Sequence, residues 1–191
     1  GYIAAMDDGM ISWRPNVGIR RNIKLEFPIS TILAVGGANG KCDSIWCGDT
    51  RGNISQLSLP MLSVLKKFCL NSSSIRAICA VSSSSDKILA GTSDGEIWAL
   101  GKEIPGGSIR LFSIGSAITS MKCSDENIII QSGWSRYTFD WTGNEIDHHD
   151  HNKIFISKKI KRDNRRSKLL KFQIDNGNLP ESVLLDLPVV A

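Results

Sequence analysis

The chain has 191 residues, 41% of them hydrophobic and 22% charged, with a formal net charge of +4, as expected of a globular domain able to bury a core. No apolar run approaches the roughly 18 residues of a bilayer-spanning helix, and Gly1–Met10 lacks the basic-then-apolar order of a signal peptide. Gly1 in place of an initiator Met fits a piece excised from a longer protein.

In chain order the first element is a hairpin, Tyr2-Ile3-Ala4-Ala5-Met6-Asp7-Asp8-Gly9-Met10-Ile11-Ser12-Trp13. Asn22–Phe27 then alternates apolar with polar residues, the pattern of an exposed strand, and Ile29–Val35 is an apolar strand. The same three parts return. Ser44–Leu57 is a hairpin, Ser63–Phe68 alternates, and Ile75–Val81 is apolar. They return again as Lys87–Leu100, Ser108–Phe112 and Ile118–Cys123. The turn glycines Gly9, Gly52 and Gly95 step by 43 residues, as do Ile11, Ile54 and Ile97 and the small residues Ala5, Gly48 and Gly91. A fourth hairpin, Asn127–Trp141, carries a displaced glycine, and Trp134 falls in its turn. No stretch shows a helical period.

A polar pair followed by glycine suits a tight turn, because glycine adopts positive φ without steric cost. Four strands per 43 residues form a blade, so the expected fold is all-β: about four to five β-propeller blades of four antiparallel strands. Asp8-Gly9-Met10-Ile11-Ser12-Trp13 and Asp94-Gly95-Glu96-Ile97-Trp98 resemble the end of a WD repeat, where an Asp-Gly turn leads into a strand ending in an aromatic residue. The resemblance covers residues 2–141. It departs from the family in lacking a Gly-His pair at blade entries and a closing Trp-Asp, for which Phe139-Asp140-Trp141 offers only the reverse order. A scaffold for protein–protein contacts is what the resemblance implies.

Residues 1–147 are read as propeller blades and 148–191 as an irregular last blade with a basic insert. The chain starts in the second strand of its first blade. The ring is therefore either closed by Ser182-Val183-Leu184-Leu185-Asp186-Leu187, bounded by Pro180 and Pro188, or incomplete and open to self-association.

Lys158, Lys159, Lys161, Arg162, Arg165, Arg166, Lys168 and Lys171 face one acid, Asp163, within Lys158–Lys171, a local net charge of +7. Such a run suits nucleic acid or another polyanion, and Lys158-Lys159-Ile160-Lys161 resembles a short nuclear-import signal. The plainer reading is a solvated turn. All three histidines lie in Asp147-His148-His149-Asp150-His151, read as a solvated loop and not a metal site. The five cysteines, Cys42, Cys47, Cys69, Cys79 and Cys123, contain no C-x-x-C pair and are read as core thiols of an intracellular protein, cytoplasmic or nuclear. The five tryptophans are expected mainly between blades. No metal or cofactor is expected, and no acid pair or Ser-His-Asp set selects itself, although a propeller hydrolase is a further alternative. The leading expectation is a non-catalytic scaffold whose rim loops offer Asp7, Asp8, Arg51, Asp94 and Trp134 to a polar peptide. The second is a polyanion-associated factor using residues 158–171.

Overall fold

The computed structural model describes residues 1–36, 42–70, 73–81, 87–124 and 126–150. The strands are β1 (Tyr2–Ala5), β2 (Met10–Arg14), β3 (Arg21–Lys24), β4 (Ile29–Gly36), β5 (Cys42–Asp49), β6 (Asn53–Ser58), β7 (Val64–Cys69) and β8 (Ile75–Ala80). They continue as β9 (Lys87–Thr92), β10 (Glu96–Gly101), β11 (Ser108–Ser113), β12 (Ser120–Cys123), β13 (Asn127–Ser132), β14 (Ser135–Asp140) and β15 (Glu145–Asp150). No helix occurs among the described residues. Each sheet follows chain order: β1-β2-β3, β4-β5-β6-β7, β8-β9-β10-β11 and β12-β13-β14-β15. These are blades 1 to 4 of a β-propeller. The chain divides into units 1–148 and 149–191, and of the second only the end of β15 is described. The basic segment and the strand expected at 182–187 lie outside the described residues.

The 43-residue period is a register. Ala5 pairs with Ile11, Gly48 with Ile54, and Gly91 with Ile97. The same isoleucines pair outward with Ile23, Phe68 and Phe112. The fourth hairpin departs because Ser132 pairs with Ser135, leaving a two-residue Gly133-Trp134 turn. This shorter turn is why its glycine is out of step.

One apolar cluster fills each junction between neighbouring blades. Ile11 packs with Ile45, Cys47 and Leu57 between blades 1 and 2. Trp46 and Ile54 meet Ile75, Ile88 and Leu100 between blades 2 and 3. Leu89 and Ile97 meet Ile118, Met121, Ile128 and Ile130 between blades 3 and 4. Adjacent residues thus point to opposite neighbours, which explains the near-continuous apolar runs. Close packing also accounts for two small residues. A Cβ on Gly48 would stand 2.5 Å from Ile75 Cγ2, and one on Gly91 would stand 2.9 Å from Ile118 Cδ1.

Several expectations need correction. His148 and His149 are not in a loop: they lie in β15, the last strand of blade 4, and the His148 ring stacks on Tyr137 at 4.2 Å, while His151 lies outside the described residues. An edge strand exposed on both faces carries no alternation to betray it. The cysteines are not uniformly core thiols. Cys47 is buried, with its thiol pushed up to about 12 by desolvation, whereas Cys42 and Cys69 are exposed and Cys79 forms a disulfide with Cys123. Of the tryptophans, Trp46 is fully buried, stacked at 5.8 Å on Phe68, while Trp134 and Trp141 are exposed.

Candidate functional site

The hairpin turns joining the second and third strands share one end of the blades, and each is built to hold its shape. In blade 2, Asp49 Oδ1 accepts the Arg51 and Asn53 backbone N–H groups at 2.8 and 2.9 Å, and its Oδ2 accepts the Asn53 side-chain amide at 2.8 Å. One period later the Thr92 hydroxyl takes that place, accepting the Glu96 N–H at 3.0 Å. In blade 1 the Asp8 carboxylate accepts the Met10 N–H at 3.0 Å. Short polar side chains close such turns by bonding backbone two to four residues ahead. Gly95, with φ of +84°, completes its turn where a Cβ would run into the Ser116 backbone.

The linkers that carry the chain to the next blade are fastened to these turns. Leu25, Leu70 and Ile114 donate backbone N–H groups to the carbonyls of Gly9, Gly52 and Gly95. Thr50 and Ser93 donate theirs to Pro28 and Ser74. These turns and the described linker residues together make a rim tied by backbone hydrogen bonds.

Five of the expected site residues, Asp7, Asp8, Arg51, Asp94 and Trp134, lie on these turns. Asp7 and Asp8 are exposed, and Lys24 Nζ lies 2.5 Å from Asp8 Oδ2, a hydrogen bond that holds the Asp8 carboxyl below its usual range. Arg51, also exposed, places its guanidinium 5.9 Å from the Phe27 ring centroid and so reaches from blade 2 to the linker of blade 1. Asp94 is exposed on a turn whose N–H donates to Ser73 Oγ at 3.2 Å. Trp134 is 71% exposed at the tip of its two-residue turn. No hydrogen bond or ion pair joins two of these five residues. Lys158, Lys159, Lys161, Arg162, Arg165 and Arg166 lie outside the described residues.

Sequence reasoning missed several partners on this rim. Phe27 and the Glu26–Lys67 ion pair, 3.0 Å apart, tie the first linker to blade 2. A repeated Asp-x-x-Gly-Asn pattern was the available signal for one further turn. Asp140-Trp141-Thr142-Gly143-Asn144 reproduces the Asp49–Asn53 bonds, with Asp140 Oδ1 accepting the Thr142 and Asn144 N–H groups at 2.9 Å each. That turn joins β14 to β15 and so belongs to the opposite end of the blade.

Two cavities lie between blades 1 and 2. One of about 570 Å³ is lined by Tyr2, Ile3, Trp13, Ile32, Ala34 and Leu59 among others, with no charged side chain. The second, about 150 Å³, is lined by the charged Lys24, Glu26, Asp49 and Lys67 together with Leu25, Ile29 and Val64. Among the described residues no group of three His, Cys, Asp or Glu is placed to hold a metal ion.

No family model matches the sequence, and no curated protein matches it. Among solved structures, the chain is similar to Saccharomyces cerevisiae Sqt1, with a TM-score of 0.65 and 18% identity over 78% of this chain and 44% of that one. It is also similar to the computationally designed Ika8 protein, with a TM-score of 0.61 and 16% identity over 78% of this chain and 45% of that one. The chain spans less than half the length of these two structures, and the likeness is one of β-propeller fold.

Proposed function

We propose that the chain is part of a WD-repeat-like β-propeller that scaffolds protein–protein contacts inside the cell, docking a polar peptide segment of its partner across the turn rim. The observation that carries this reading is the rim itself. Its backbone is fixed by turn and linker hydrogen bonds, and it presents Asp7, Asp8, Arg51, Asp94 and Trp134 outward. A preordered backbone loses little entropy on binding, and Trp and Arg are the side chains most often found at binding hot spots. The mixed charge suits a polar segment better than an apolar one. Non-catalytic action follows from the same reading, in which the rim binds and transforms nothing.

A second reading assigns the contacts to residues 158–171, favoured by their net charge of +7. One experiment separates the two. Pull-downs from cell extract at low and moderate salt would compare the parent chain, an R51E/W134A variant, and a variant with Lys158, Lys159, Lys161 and Arg162 changed to Ser. Partners lost with the first variant and kept with the second at both salts support the rim. Retention by the rim variant, with salt-sensitive loss in the second and co-purifying nucleic acid, would overturn it.

A further inference from the structure

The two cysteines brought together by adjacent blades have no part in the rim reading. Cys79 is on β8, the inner strand of blade 3, 8% exposed within the apolar cluster shared with blade 4. Cys123 ends β12, the inner strand of blade 4, and is half-buried at the margin of that cluster. Their Cα atoms are 6.4 Å apart, within the span that a disulfide bridges. The pair joins residues 44 apart in sequence, so the covalent tie runs between blades and not within one.

The location is selective. At the junction of blades 2 and 3, the register places Leu33 and Ala80 at the corresponding positions, which offer no cross-link. The junction of blades 3 and 4 is also where the repeat slips: the turn shortens to two residues, and β12 has four residues where β4 has eight and β8 six.

We propose that the Cys79–Cys123 disulfide is a reversible staple, so that oxidation fixes blade 4 on blade 3 and reduction lets blade 4 open independently. The oxidant is a low-molecular-weight disulfide such as glutathione disulfide. The more accessible Cys123 attacks it as thiolate, forming a mixed disulfide and releasing one glutathione thiolate. Cys79, as thiolate, then attacks Cys123 Sγ and releases the second. Two protein thiols lose two protons and two electrons, and one glutathione disulfide becomes two glutathione molecules.

The test uses the full chain equilibrated with glutathione disulfide or with dithiothreitol, then alkylated under denaturing conditions. The oxidised protein should alkylate at the three other cysteines and yield a Cys79–Cys123 linked peptide, whereas the reduced protein should alkylate at all five. Amide exchange read on the same samples should be about tenfold faster in Ser120–Cys123 and Asn127–Ser132 after reduction, with Cys42–Asp49 of blade 2 little changed. In oxidant, C79S should exchange in blade 4 like the reduced parent chain, and reduction of the parent chain gives the same comparison without any substitution. Five alkylated cysteines in oxidant, a bridge through Cys42, Cys47 or Cys69, or equal blade 4 exchange in both states would overturn the proposal.

Discussion

Blade 2 and blade 4 are built on the same strand plan but have different surroundings. Blade 2 is packed on both faces: Ile45, Cys47 and Leu57 turn toward blade 1 while Trp46 and Ile54 turn toward blade 3, all of them at most 1% exposed. Blade 4 meets a described neighbour on one face. Ile128 and Ile130 are fully buried against blade 3, while Ile129 between them and Gln131 after them are half-buried. Burial along each strand therefore reports how many neighbours it has: β6 of blade 2 is buried at every position from Asn53 to Leu57, whereas burial alternates along β13.

The largest effect that could break this comparison comes from truncating equivalent apolar side chains. Ile54→Ala removes a side chain with no exposure and should cost about 2–5 kcal/mol through lost burial and the cavity left behind. Ile129→Ala, on the other face of blade 4, should cost about 1 kcal/mol or less. Urea unfolding of both variants measures the difference. Equal costs would mean that the far face of blade 4 is as tightly packed as the interior of blade 2.

The two Asp-x-x-Gly-Asn turns sharpen the contrast with sequence held constant. Asp49 is 7% exposed and Asn53 9%, so Asp49→Ala strands buried N–H groups where water cannot replace the carboxylate, at a cost of about 1–3 kcal/mol. Asp140 makes an equivalent set of bonds, plus one from the Thr142 hydroxyl at 2.6 Å, but from an exposed turn. Water can solvate the groups left by Asp140→Ala, so that variant should lose less stability. A larger loss for Asp140→Ala in the same unfolding assay would reverse this ranking.

Much of the fold was legible because each blade repeats both its turn and its packing. Gly9, Gly52 and Gly95 mark turns, Ile11, Ile54 and Ile97 mark strands buried between neighbours, and the two sets step together. What was illegible came from contacts that cross blades or leave no pattern. Cys79 and Cys123 are one residue off the 43-residue step, so periodicity does not pair them. Arg51 meets Phe27 only because a linker from blade 1 passes the turn of blade 2. The rim residues were legible as turn residues, since short polar side chains before glycine have few other uses. Their partners were not.

The smallest effect separates the same two turns by pH. Four hydrogen bonds, led by that from the Thr142 hydroxyl and followed by that from the Asn144 N–H, hold the Asp140 carboxyl at about 2, below its ordinary 3.8. A carboxyl whose folded value lies below its unfolded one adds stability that is fully present above the unfolded value. That contribution fades as pH falls from the ordinary value of 3.8 toward about 2. Asp140→Asn removes the titration, so the gap in thermal midpoint between parent and variant should be constant above about pH 5 and close progressively on acidification toward pH 2. Asp8, lowered by its bond to Lys24, adds the same sign of dependence in both proteins and cancels in the difference. A gap that stays constant through this range would mean that the blade 4 turn is held by its glycine and backbone geometry, with the Asp140 charge contributing nothing.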